Sequence, residues 1–163
     1  MYGMKNILIV DDHTIVRQGL IRALQEALEL PSAFDEAAEA QQAVTMVNAN
    51  EYDLVLLDIS LSDQNGLILL KHLHKQNPKL PVIIMSTHPE EQYYVRTLRA
   101  GASGYVNKGS STAVFKEAIE KVLAGKEYVS QSQADLLVEA ICDNSENEVK
   151  RSNGLKEGRG HAD

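Results

Sequence analysis

Five side chains able to handle a phosphoryl group or its metal stand at the ends of four apolar runs. Residues 6–10 lead into Asp11 and Asp12, 54–57 into Asp58, 82–85 into Ser86, and 104–107 into Lys108. Short continuous apolar runs mark parallel strands buried on both faces. In an open α/β sheet, ligands bind outside the carboxyl ends of such strands. Three carboxylates, a hydroxyl and an ammonium are therefore expected along one edge. Two carboxylates ~5 Å apart repel by roughly 3 kcal/mol at an effective dielectric of 20. A hard cation such as Mg²⁺, the Lys108 ammonium, or protonation of one acid can relieve that repulsion. An aspartate in such a site can attack phosphorus and form an aspartyl phosphate. Asp58 stands alone after its strand and is the better nucleophile. Asp11 and Asp12 form a pair suited to metal, and Ser86 can donate to a phosphoryl oxygen.

The elements that must position these groups alternate strand and helix. A helical stripe over 14–28 (Val16, Leu20, Ala23, Leu24, Ala27) is ended by Pro31. Ser32 to Asp35 is expected as a second strand from its place in the alternation. Ala40, Ala43, Val44 and Val47 mark a second helix, and 53–58 a third strand. A polar loop from Ser60 carries the turn signal Asn65-Gly66. A third helix carries Leu67, Leu70 and Leu73 and stops before Pro78. Leu80 to Ser86 reads as a fourth strand opened by Pro81. A helix over 90–100 is closed by Gly101, and a short strand follows over 104–107. The last helix is capped by Ser110 or Ser111, lined by Phe115, Ala118, Ile119, Val122 and Leu123, and ended by Gly125. Five βα units imply a doubly wound, mostly parallel sheet.

The 163 residues suffice for one domain and a tail. A formal charge of -7 argues against nucleic-acid binding by bulk electrostatics. One cysteine, Cys142, excludes an internal disulfide, and no run approaches the ~20 apolar residues of a membrane span. With no long apolar segment at the start, the chain reads as cytoplasmic. Residues 131–142 carry a short amphipathic stripe (Ala134, Leu137, Val138, Ile141), expected as a linker helix. Residues 143–163 hold Val149 and Leu155 as large apolar residues and are expected to be disordered.

The segments Ile9-Val10-Asp11-Asp12-His13, Val55-Leu56-Leu57-Asp58, Ser86 and Gly104-Tyr105-Val106-Asn107-Lys108 resemble the CheY-like receiver domain of bacterial two-component response regulators. Residues 11–20 and Ala100-Gly101-Ala102-Ser103-Gly104-Tyr105 resemble its NarL/LuxR-type subfamily. The resemblance covers residues 4–130. It implies a flavodoxin-like (βα)5 fold with strand order 2-1-3-4-5. It also implies that Asp58 takes a phosphoryl group from a sensor histidine kinase. Asp11, Asp12, Asp58 and the backbone carbonyl of Ser60 would hold Mg²⁺, and Ser86 and Lys108 would hold the phosphoryl group. Tyr105 would be the switch aromatic that reshapes the face of the fourth helix, fifth strand and fifth helix. Regulators of this type commonly dimerise and continue into a DNA-binding domain. The residues after Cys142 have neither the length nor the apolar pattern of one, so DNA contact is expected only through an output domain outside this chain. Gly109 after Lys108, and Ser62 in the loop after Asp58, stand where the family usually has proline.

Plainer readings exist for each residue alone. Asp11 or Asp12 can cap the first helix, Lys108 can be a solvated lysine, and Thr87 rivals Ser86. Tyr93-Tyr94 reads as helix surface. His88, near the site edge, is a candidate modulator of aspartyl-phosphate hydrolysis. Two rival functions are a Mg²⁺-dependent phosphohydrolase and a docking module that is never phosphorylated. Hydrolases of the haloacid dehalogenase type place a second acid two residues after the nucleophile, where this chain has Ser60.

Overall fold

A computed structural model of the protein describes residues 3–143. Its elements run β1 (Lys5–Val10), α1 (Thr14–Ala27), β2 (Ser32–Ala37), α2 (Ala40–Ala49), β3 (Leu54–Asp58), α3 (Gly66–Gln76), β4 (Val82–Ser86), α4 (Glu90–Arg99), β5 (Gly104–Asn107) and α5 (Thr112–Leu123). The sheet is parallel throughout, in the order β2-β1-β3-β4-β5. Every residue of β3 and β4 is buried, as expected of strands covered on both faces. One face carries Ile7, Ile9, Leu54, Leu56, Ile83, Met85 and Val106, packed on Leu24 of α1 and on Phe115, Ala118, Ile119 and Val122 of α5. The alternate residues point to the other face, covered by α2, α3 and α4. Each buried Leu or Ile contributes ~1.5–3 kcal/mol.

Three expectations about the elements change. β2 extends two residues past Asp35 to Ala37, because its ladder with β1 continues to Val10↔Ala37. β4 begins at Val82. Pro81 lacks an N–H and precedes the strand, although its carbonyl accepts from Val55 N–H at 3.0 Å. Neither Asp11 nor Asp12 is the cap of α1; His13 occupies that position without a side-chain cap bond. Ser111, not Ser110, caps α5. Gly101 follows α4 at φ +109, where its N–H reaches Leu98 carbonyl and a side chain would be strained.

Among the described residues, 3–129 form one compact unit and those from 130 onward belong to a second. In the second, residues 131–143 are helical, with Val138 and Ile141 exposed. The tail expected over 144–163 lies outside the described residues.

Candidate functional site: an acidic pocket at the sheet's carboxyl edge

Strand order reverses direction at β1, whose chain neighbours β2 and β3 lie on either side of it. Such a switch point leaves a crevice at the carboxyl ends. Val10 is level with Leu57, so Asp11 and Asp58 follow as neighbours. Ser86 pairs with Asn107, which brings Lys108 to the same edge.

The predicted acids and the lysine meet there. Lys108 Nζ lies 2.7 Å from Asp11 Oδ2 and 3.0 Å from Asp58 Oδ2. Asp58 Oδ1 accepts from Ser60 N–H at 3.0 Å, and Asp11 Oδ1 from His13 N–H at 2.9 Å. His13 Nδ1 stands 3.1 Å from both Asp11 Oδ1 and Asp12 Oδ1. Ligand atoms of Asp11, Asp12, His13 and Asp58 all lie within 4.8 Å of one another. Three carboxylates face one buried ammonium, so the pocket retains unbalanced negative charge. Among the described residues, buried Asp12 Oδ1 has no hydrogen-bond partner, save the facing His13 nitrogen. Hard carboxylate oxygens with unmet acceptor capacity fit a hard divalent cation.

The charges respond to one another. Burial pushes the Asp58 carboxyl above its ordinary range, against the opposing pull of the Ser60 N–H and Lys108. Burial also pushes Asp11 up, but Lys108 and the His13 N–H outweigh it and the net direction is down. Burial disfavours the Lys108 cation, yet the two carboxylates more than restore it and hold its pKa high.

The hydroxyl side of the pocket is arranged differently. Ser86 Oγ is fully buried and accepts from His88 N–H at 2.9 Å. Tyr105 lies inside, its hydroxyl donating to the His88 carbonyl at 3.2 Å. The His88 ring reaches Ser60 Oγ, with Nε2 at 3.4 Å. Thr87 is exposed, so Ser86 is the hydroxyl on the strand end. Tyr94 is not helix surface: it is 1% exposed and meets Tyr105 edge-on at 6.0 Å.

The loop after Asp58 is held closely. Asn65 caps α3 by accepting from Leu67 N–H at 2.8 Å. A Cβ on Gly66 would come 2.4 Å from the Asp58 carbonyl, so only glycine lets α3 start this near the pocket. Asp63 accepts from Ala40 N–H at 3.0 Å and Gln41 N–H at 3.3 Å, tying the loop to α2. Ser62 is exposed, and Gly109 N–H donates to Asn107 Oδ1 at 2.8 Å. Asp63 and Arg17 went unnoticed as individual residues in the sequence. The loop position of Asp63 was the available signal for it; a charge inside an apolar helix stripe was the signal for Arg17.

Known proteins resemble this chain in sequence and fold. A family model described as the response regulator receiver domain matches residues 7–120. The transcriptional activator protein ExaE of Pseudomonas putida is 37% identical over 132 residues, covering 80% of this chain and 61% of that protein. The response regulator UvrY of Escherichia coli O157:H7 is 31% identical over 131 residues, covering 80% and 60%. The chain thus spans about three fifths of the length of these curated relatives. Among solved structures, a LuxR-family two-component response regulator from Aurantimonas sp. SI85-9A1 matches with TM-score 0.76 at 30% identity, over 86% of this chain and 99% of that one. A CheY-like receiver domain protein from Methanospirillum hungatei JF-1 matches with TM-score 0.69 at 29% identity, over 76% and 96%. On its strand ends, its sheet order and these relatives, the chain belongs to the receiver domains of two-component response regulators, of the NarL/LuxR type.

Proposed function

We propose that Asp58 accepts a phosphoryl group from a phosphohistidine on a sensor kinase. The observation that supports this most is the buried Asp58 carboxylate, bonded to Lys108 and the Ser60 N–H beside Asp11. An Asp58 oxygen attacks phosphorus, the P–N bond breaks, and the imidazole leaves with the electron pair. Asp11, Asp12, Asp58 and the Ser60 carbonyl are the residues that would hold Mg²⁺, which when bound neutralises phosphoryl charge. Lys108 already stands on Asp58 and can follow the charge onto the new phosphoryl oxygens.

Ser86 must leave the His88 N–H to reach the phosphoryl group. The same His88 residue accepts the Tyr105 hydroxyl through its carbonyl. A shift of Ser86 is therefore felt by Tyr105, and through it by Tyr94 in α4. This couples the pocket to the face of α4, β5 and α5 and biases it between two arrangements. His88, bridging to Ser60 over the pocket, limits the water that would hydrolyse the adduct. Residues 4–130 act as the receiver and 131–142 as a linker helix. The activity is self-phosphorylation with slow autodephosphorylation, in the cytoplasm, and it serves transcription through an output domain such as ExaE's name suggests for that relative.

Incubation with Mg²⁺ and acetyl phosphate, read by intact mass, tests the reading. A single phosphate adduct, lost in Asp58→Asn, is expected. The absence of any adduct would favour a docking module, and continuous phosphate release would favour a hydrolase.

A further inference from the structure

We infer that Arg17 is a positioning residue for the acidic pocket: it holds the turn after β1 in the shape that presents Asp11 and Asp12 to a divalent cation. The inference rests on the reading of that pocket as a metal site.

Arginine is seldom buried unless paired, yet Arg17 is only 8% exposed. Its Nη1 donates to the Asp11 carbonyl, and its Nε donates to Glu36 Oε1 at 2.8 Å. The Asp11 carbonyl needs such a donor. The β1–β2 ladder ends at Val10↔Ala37, where Asp11 N–H still reaches the Ala37 carbonyl at 3.0 Å. Beyond that point β2 turns away toward α2, and the strand offers the Asp11 carbonyl no further partner. A buried carbonyl left unpaired would rotate its peptide toward another donor. That peptide joins Asp11 to Asp12, so its orientation decides where both carboxylates point. Glu36 on β2 aims the guanidinium, and α1 carries it. The planar fork makes both bonds at once, which a lysine ammonium does less well. Arg17 also places a cation beside a pocket whose acids outnumber its ammonium.

The test is Mg²⁺ affinity, followed by amide NMR shifts of the pocket residues, in the parent chain and in Arg17→Met, Arg17→Lys and Glu36→Ala. Partners that orient a metal's ligands typically contribute 10–100-fold to metal affinity, so Arg17→Met is expected to weaken Mg²⁺ binding about tenfold or more. Arg17→Lys should fall between the parent and Arg17→Met. Glu36→Ala, which leaves the Asp11 bond in place, should lose about threefold. The Asp12 amide ¹⁵N resonance should shift in the same order, since the Asp11 carbonyl loses its donor. An Arg17→Met chain that is folded by circular dichroism and binds Mg²⁺ within twofold of the parent overturns the inference. Should Arg17→Met not fold, unchanged affinity in Glu36→Ala overturns it. A parent that does not bind Mg²⁺ sinks the metal reading itself, and this inference with it.

Discussion

Lys108 joins Asp11 and Asp58 across the ends of β1, β3 and β5, whereas Ser86 and Tyr105, on β4 and β5, are both bonded to the backbone of His88. On the proposed reading, the acid half is already arranged for phosphoryl transfer. The hydroxyl half is turned away from it. The difference follows from charge. Buried carboxylates need a cation whether or not a phosphoryl group is present. A neutral serine hydroxyl is held by one backbone N–H and by a side-chain hydrogen bond with Tyr105, and waits at little cost. The proposed switching is therefore concentrated in the hydroxyl half, with the acid half as its fixed reference.

Breaking the acid half should have the largest effect. Lys108→Met leaves two buried carboxylates without their cation and should cost about 3 kcal/mol of stability, read from urea midpoints in EDTA. Mg²⁺ should recover part of that loss. Gly66→Ala pushes a methyl group into the Asp58 and Ile59 backbone and should cost about 2 kcal/mol while slowing adduct formation. Titration separates the two aspartates by sign. The Asp58 carboxyl is raised in the fold, so its contribution to stability is fully present below its ordinary value of 3.8 and lost as pH rises through the folded value. Asp11 is lowered, so its contribution is present above 3.8 and lost as pH falls through its folded value. Asp58→Asn should therefore be more stable than the parent at neutral pH, with the advantage shrinking as pH approaches 4; an unchanged difference across that range would remove the sign distinction.

Changes in the hydroxyl half should be smaller. The buried Tyr94 hydroxyl has no hydrogen-bond partner among the described residues, so Tyr94→Phe should raise stability by about 1 kcal/mol in urea unfolding. His88→Ala opens the pocket rim at Ser60 and should shorten the lifetime of the phosphorylated form about threefold, roughly 0.7 kcal/mol of barrier. A lifetime equal to the parent's would remove His88 from the reading.

The acid half was legible in the sequence because its residues terminate apolar runs, and parallel register then forces them together. The buried tyrosine behind the hydroxyl half was not. Residues 90–92 are Glu-Glu-Gln, so α4 shows too little apolar periodicity to mark Tyr94 as core. Arg17 stands as a charge within the apolar stripe of α1, but its partners, Glu36 and the Asp11 carbonyl, come together only in the fold. Asp11 resembles a helix cap in sequence because its carboxylate does accept a backbone N–H near the start of α1, but from His13, one step outside the helix. The β2 composition hid two of its residues, since Asp35 and Glu36 break the apolar run that identifies the other strands.

That charged pair has a consequence for the molecule in company. β2 forms one border of the sheet, and a border strand offers unpaired backbone groups to any extended chain that meets it. The exposed carboxylate of Asp35 makes such a meeting less favourable between copies, each bringing the same charge, while Glu36 is engaged by Arg17. β5, at the opposite border, is only four residues long and gives little to pair with. The feature that conceals β2 in the sequence also discourages other strands from pairing along it.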